Sequence, residues 1–168
     1  MSEIYELYQQ ILPTGGFVLD SSRSKVEENQ FCYALSADKG KGFSWHYFFE
    51  DMFAITKQDF YFFEDFFLES TEPEFLAIQY YTSVSGEEFH PYYQLSPNSL
   101  RAYVGGNQRN FQAVYHKNVP IRSVSVSIMP DFYHRYLKER LGDEYIDPQN
   151  AFKRMMSVSY THLTLPTT

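Results

Sequence analysis

The side chains able to do chemistry in this chain are few and scattered. Five histidines, His46, His90, His116, His134 and His162, stand far apart, and no two form an H-x-H pair. A metal centre needs His, Cys or carboxylate ligands that converge on one ion. His46 with Glu50 comes nearest to half a site: in a strand the two share one face about two pleats apart, too little to hold an ion. The signatures of a nucleophile elbow, a phosphate-cradling loop, a dinucleotide turn and a zinc-protease helix are all missing from the sequence. Gly105-Gly106-Asn107 reads as a hairpin turn. The carboxylate pairs Glu27–Glu28, Glu50–Asp51, Glu64–Asp65 and Glu87–Glu88 read as solvated loop faces. With no nucleophile beside a base, the sequence predicts no catalytic residue, no metal, no cofactor and a protein that is not an enzyme.

Binding has more to stand on. Polar groups lie among strongly aromatic stretches: His46, Gln79, Arg101, Tyr103, Gln112 and His116. A β-barrel that holds a small solute needs a few such groups pointing inward among apolar walls. The rival reading of each is an ordinary outward-pointing polar residue. Trp45 is the candidate stacking platform for a sugar or aromatic solute, and it suits plain core equally well. The ligand set read from the sequence is therefore Trp45, His46, Gln79, Arg101, Tyr103 and His116. The chain has 16 Phe, 15 Tyr and one Trp in 168 residues. Between Phe43 and Phe67, 12 of 25 residues are aromatic, which favours strands and a large buried apolar area.

The elements that must position these groups follow from hydrophobic periodicity. Ile4, Leu7, Tyr8, Ile11 and Leu12 share one face of a short helix closed by Pro13 and Gly15-Gly16. Residues 1–19 form that helix and an entry strand, and 20–42 form an arm or loop, with a short strand at Phe31–Leu35. A β body spans 43–129. Within it Lys57-Gln58-Asp59 is read as a turn, Phe75–Val84 as a central strand, and Ser85–Glu88 as its break. Short strands at such regular spacing, with turn signals between them, predict an antiparallel barrel or sandwich. From Ile121 to Ile128 apolar and polar residues alternate, the mark of a strand with one buried face. Pro130 then suits the first turn of a helix, with Asp131 at its positive end and Gly142 beyond its last turn. Phe132 pairs with Tyr136, and Tyr133 with Leu137 and Leu141, at spacings of four. A second helix is expected from Asp147-Pro148 through Ala151, Phe152 and Met155. Residues 130–156 thus form a helical segment, and 157–168 form an uncharged tail unlike the rest.

The net charge of −7 and pI near 5.2 argue against this piece gripping nucleic acid itself, since DNA affinity rests on Lys and Arg. One cysteine, Cys32, excludes an internal disulfide framework and fits a reducing cytosol. No signal-peptide pattern and no membrane-length apolar run occur, so a cytoplasmic protein without membrane contact is expected.

Two stretches resemble the N-terminal sensor domain of AraC-type transcriptional regulators. They are Ser85-Gly-Glu-Glu with Pro91-Tyr-Tyr-Gln-Leu-Ser96, and Tyr115-His-Lys-Asn-Val-Pro-Ile121 leading into Ser127-Ile-Met-Pro-Asp-Phe-Tyr133. The resemblance covers about residues 15 to 155. It implies a mainly β fold: a cupin-like antiparallel barrel, or double-stranded β-helix, followed by dimerisation helices. It also implies an effector-sensing and dimerisation role, with a small-molecule effector such as a sugar or metabolite and a homodimer as partners. Family members continue into helix-turn-helix units that contact DNA, and those are absent here. The chain is therefore expected to be a fragment whose natural sequence continues past Met156, with a non-native tail at 157–168. Phe132, Tyr133, Tyr136, Leu137 and Leu141 are the expected dimerisation residues. The alternative is a stand-alone cupin-type small-molecule-binding protein or a small cupin enzyme.

Overall fold

The computed structural model describes residues 3–50, 52–71, 74–89, 92–105, 110–144 and 146. Helix α1 (Glu3–Thr14) opens the chain and ends at Gly16, whose φ of 81° suits glycine. Strands β1 (Phe17–Leu19), β2 (Gln30–Leu35), β3 (Gly40–Phe49), β4 (Phe53–Phe62), β5 (Phe66–Thr71) and β6 (Phe75–Ser83) follow. Then come β7 (Gly86–Phe89), β8 (Tyr93–Leu95), β9 (Ser99–Gly105), β10 (Asn110–Tyr115), β11 (Ile121–Ile128) and helix α2 (Pro130–Leu141). No helix among the described residues is long and apolar enough to cross a membrane.

The strands form two antiparallel sheets. One has seven strands in the order β1-β2-β3-β4-β11-β6-β9, the other four in the order β5-β10-β7-β8. The expected barrel is therefore not closed: among the described residues no hydrogen-bonded ladder joins the two sheets, and side chains hold them together. The chain passes between them repeatedly, once where β6 gives way to β7. Gly86 permits this crossing, because a Cβ there would lie 2.2 Å from the Val114 carbonyl oxygen on β10.

Four sequence expectations change on the structure. Lys57-Gln58-Asp59 is no turn but the middle of the ten-residue β4. Its polar side chains are matched across the sheet, with Asp59 bound by Arg122 at 3.0 Å and Gln58 by Ser123 at 2.8 Å. The 20–42 segment holds the short strand expected at Phe31–Leu35, as β2, and an ordered turn in place of a loose arm. In that turn Asp20 accepts bonds from Ser22 and Arg23, which hold its carboxyl down to about 2. In β11 the alternation is real but its phase is reversed: Ile121, Ser123 and Ser127 are buried, while Val124 is 49% exposed. The expected dimerisation helices reduce, among the described residues, to α2. There Tyr133 is buried against the domain and donates to Glu74, and Phe132 stacks on Tyr136 with centroids 5.9 Å apart. Leu137 is half-buried, and Tyr136 and Leu141 are exposed. The second helix and the 157–168 tail lie outside the described residues.

The core is aromatic at both ends of the seven-stranded sheet. Phe17, Phe60 and Phe62 pack edge to face at one end, with centroids 4.8 and 5.4 Å apart. Phe31 and Phe48 pack at the other, against Tyr5 of α1. Such pairs add about 0.5–1.5 kcal/mol beyond their area. Between these two clusters the inner face turns polar.

Candidate functional site

Register places two polar rows side by side across the inner face. The first runs His46–Thr56–Ser125–Gln79–Arg101 over β3, β4, β11, β6 and β9. The second runs Ser44–Gln58–Ser123–Tyr81–Ser99 over the same strands. A sheet with one face on a core normally turns apolar residues inward. Here five adjacent strands, from β3 to the edge strand β9, do the reverse over two consecutive rows.

One end of the first row is sealed. His46 is fully buried, with Ser44 Oγ 2.8 Å from its Nε2 and Thr56 Oγ1 3.1 Å from its Nδ1. Tyr8 of α1 covers the ring at 4.6 Å, and Phe48 stacks near it. Burial alone pulls the imidazole down to about 3, so it is neutral at pH 7, one nitrogen donating and the other accepting. Ser44 beside His46 has the makings of a nucleophile and base. In this arrangement, however, the ring is a weak base and both side chains are shut away from water.

The other end is charged and joins the sheets. Arg101 on β9 binds Glu88 on β7 through two parallel bonds of 2.6 Å, with both side chains close to 11% exposed. Tyr93 and Tyr103 hold the guanidinium, with ring centroids 4.4 and 5.2 Å from its carbon. Burial works against the charged arginine, but the Glu88 hydrogen bonds and charge outweigh it, and its pKa lies above its usual range. The Tyr81 hydroxyl bonds with Tyr115 and Gln79; burial first, then the Glu88 charge, raises Tyr81 well above the ordinary phenol value. Tyr115 is raised likewise, by burial and by its neighbours Tyr81 and Glu88. Both stay protonated.

The middle is where water reaches the row. Gln58, Gln79 and Ser125 are half-buried rather than sealed. Gln79 Nε2 donates to Ser123 Oγ at 3.4 Å, and Ser123 donates to Gln58. Among the described residues no side-chain hydrogen bond ends on Ser125 or Ser127. Free hydroxyls thus stand beside amides in a strip without net charge: His46 is neutral and Arg101 is matched by Glu88.

Of the sequence-predicted ligand residues, Gln79, Arg101 and Tyr103 come together at the charged end. His46 lies in the same row at its far end. Trp45 sits on the opposite face of β3, because adjacent strand residues point to opposite sides. His116 lies beyond β10, where its Nδ1 is 2.8 Å from Ser85 Oγ. Gln112 pairs with Glu69 on the exposed side at 3.0 Å. Sequence reasoning missed Glu88, Tyr81 and Tyr115, and the serines of β11. The signals were available: Gln79 with Tyr81 and Arg101 with Tyr103 each share a strand face, and Ser123, Ser125 and Ser127 share another. No group of three His, Cys, Asp or Glu side chains that could hold a metal occurs among the described residues.

No family model and no curated protein matches the chain. Solved structures similar to it include the EutQ protein of Clostridium difficile (TM-score 0.41, 11% identity, covering 69% of this chain and 97% of that one). Another is the cupin domain of an XRE-family transcriptional regulator from Enterobacter cloacae (TM-score 0.32, 13% identity, 68% and 98%). A third is the ectoine synthase of P. lautus (TM-score 0.35, 12% identity, 76% and 81%). At these scores the likeness concerns general layout and carries no ligand or reaction across. It does correct one expectation: the similar chains include this synthase and a polyketide cyclase, so a chain of this layout is not thereby a non-enzyme.

Proposed function

We propose that this chain is a cupin-like small-molecule-binding domain that takes a neutral, hydroxyl-bearing solute against the middle of its inner polar rows. The observation that carries this reading is the inward pair Ser125 and Gln79, flanked by Gln58 and Ser123 over β4, β11 and β6, at positions where a one-sided sheet would bury apolar residues. Three strands span about 10 Å, the size of a monosaccharide. Hydroxyl and amide groups supply both donors and acceptors, and the tyrosines at the charged end supply rings for a sugar's apolar face. An acid or a base would meet no uncompensated opposite charge.

The finer reading is an effector sensor of the AraC type. It is supported by the two family-like stretches and by the route of β11, which carries Ser123–Ser127 and runs through Met129 directly into α2. A solute held on β11 would press on the strand that anchors the helix.

Calorimetry and thermal unfolding with D-xylose, D-glucose and myo-inositol test the binding reading. A saturable heat is expected for at least one, with a stabilisation of about 2.7 kcal/mol at 100 times its Kd. Ser125→Val, which fills the middle of the row with an apolar group, should abolish that heat while the protein stays folded. NMR of the recovered solute shows whether it is released unchanged or converted. Folded protein that responds to none of these solutes would overturn the proposal.

A further inference from the structure

The outer face of the seven-stranded sheet is the counterpart of its polar interior. Val124, Ile78 and Leu100 are 49%, 42% and 40% exposed there, side by side on three neighbouring strands. Tyr80 stands between Val124 and Leu100 in the register, so an aromatic ring links these apolar side chains into one group open to a partner. We propose that it is covered by a second copy of this chain, related by a two-fold axis that runs along β11 between two stacked sheets.

Self-complementarity picks the occupant. One outer row reads Trp45–Lys57–Val124–Tyr80–Leu100 across β3, β4, β11, β6 and β9. A two-fold along β11 sets Val124 on its own copy, each Lys57 ammonium on the partner's Tyr80 ring, and each Trp45 on the partner's Leu100. The cation and ring are an attractive match. The next row pairs Ile55 with Ile78 and sets bulky Tyr47 against small Ala102 in the same way. Large meets small and cation meets ring on both sides at once, as an isologous contact requires.

Charge and size agree. The chain carries a net charge of −7, which opposes self-association in general. On this face, however, Asp59 is bound by Arg122 at 3.0 Å, and Asp20 by Arg23, which lies over the Phe43 ring. Five strands by three rows give a flat footprint of about 24 by 20 Å. The side-chain relief enlarges this toward the ~800 Å² that each partner buries in a stable complex. Sheets that stack face to face sit about 10 Å apart, within reach of these side chains.

Sedimentation of the full chain decides the matter, with Val124→Lys and Leu100→Lys as face variants and Tyr136→Glu as the α2 variant. Wild type should be dimeric at tens of micromolar. Val124→Lys, which sets two like charges on the axis, should raise the dimer Kd at least about 100-fold. Leu100→Lys should raise it less, and Tyr136→Glu within about twofold. Circular dichroism confirms that each variant is folded. A short bismaleimide should link Val124→Cys to its own copy but not Ile78→Cys, while wild type with its buried Cys32 gives no product. A monomeric wild type, a dimer indifferent to Val124→Lys, or a dimer lost only with Tyr136→Glu would overturn the proposal.

Discussion

The inner and outer faces of the seven-stranded sheet are made from alternate residues of the same strands, yet at its centre each wears the chemistry expected of the other. Ser123 and Ser125 turn toward the interior and Val124 toward the surface, on a strand flanked on both sides by ladders. A slip of one residue would exchange the two sets completely. The register is held by specific partners instead: Gln58 and Gln79 on the serines inside, Arg122 on Asp59 outside. Inward serine gives up hydrophobic stabilisation, and outward valine exposes area to water. Both losses shrink when something polar enters the inside and something apolar covers the outside. The comparison therefore points from one sheet to two separate partners, a solute on the inside and a second copy on the outside.

The largest expected effect breaks the inner face at its charged end. Arg101→Met leaves Glu88 buried without its partner and should cost about 3–5 kcal/mol in urea unfolding. Adding Glu88→Leu should recover most of that loss, because the uncompensated charge is gone. If the single change costs no more than a surface substitution, the two sheets are not held together at this point.

The sealed end is sharpened by pH. His46 sits near 3 in the folded chain against 6.5 when unfolded, so the unfolded chain takes up a proton first as the pH falls. Stability is fully present above pH 6.5 and is lost as the pH drops toward 3, by up to about 1.4 kcal/mol per pH unit. Asp20, held near 2 against 3.8, keeps its contribution above pH 3.8 and loses it only as the pH falls from there toward 2. Unfolding curves from pH 7 to 4 should slope for wild type and be nearly flat for His46→Gln. Equal slopes would mean that the imidazole is not buried neutral.

Much of this architecture was legible in the residues, and what was not has a common cause. The passage from β11 to α2 could be read because Pro130 and the change of period are local signals. The existence of β11 could be read from its alternation, but alternation gives a period and not a phase, and here Ser123 and Ser127 rather than Val124 face inward. Lys57-Gln58-Asp59 looked like a turn because its partners, Ser123 and Arg122, lie far along the chain. Glu88 looked solvated because Arg101 reaches it only after the chain has returned to the other sheet. Trp45 and His46 could never have lined one pocket from adjacent strand positions, and that much was in the spacing. Tyr133 looked available to a partner because its bond to Glu74 links distant segments.

The inversion of the two faces stands or falls with Val124→Ser. Its unfolding free energy should be compared with wild type in urea at a concentration low enough to leave both chains monomeric. With Val124 half-exposed on the outer face, the change should stay within about 0.5 kcal/mol. A loss of about 1.5–3 kcal/mol, the cost of removing a fully buried valine, would place Val124 in the core and contradict it.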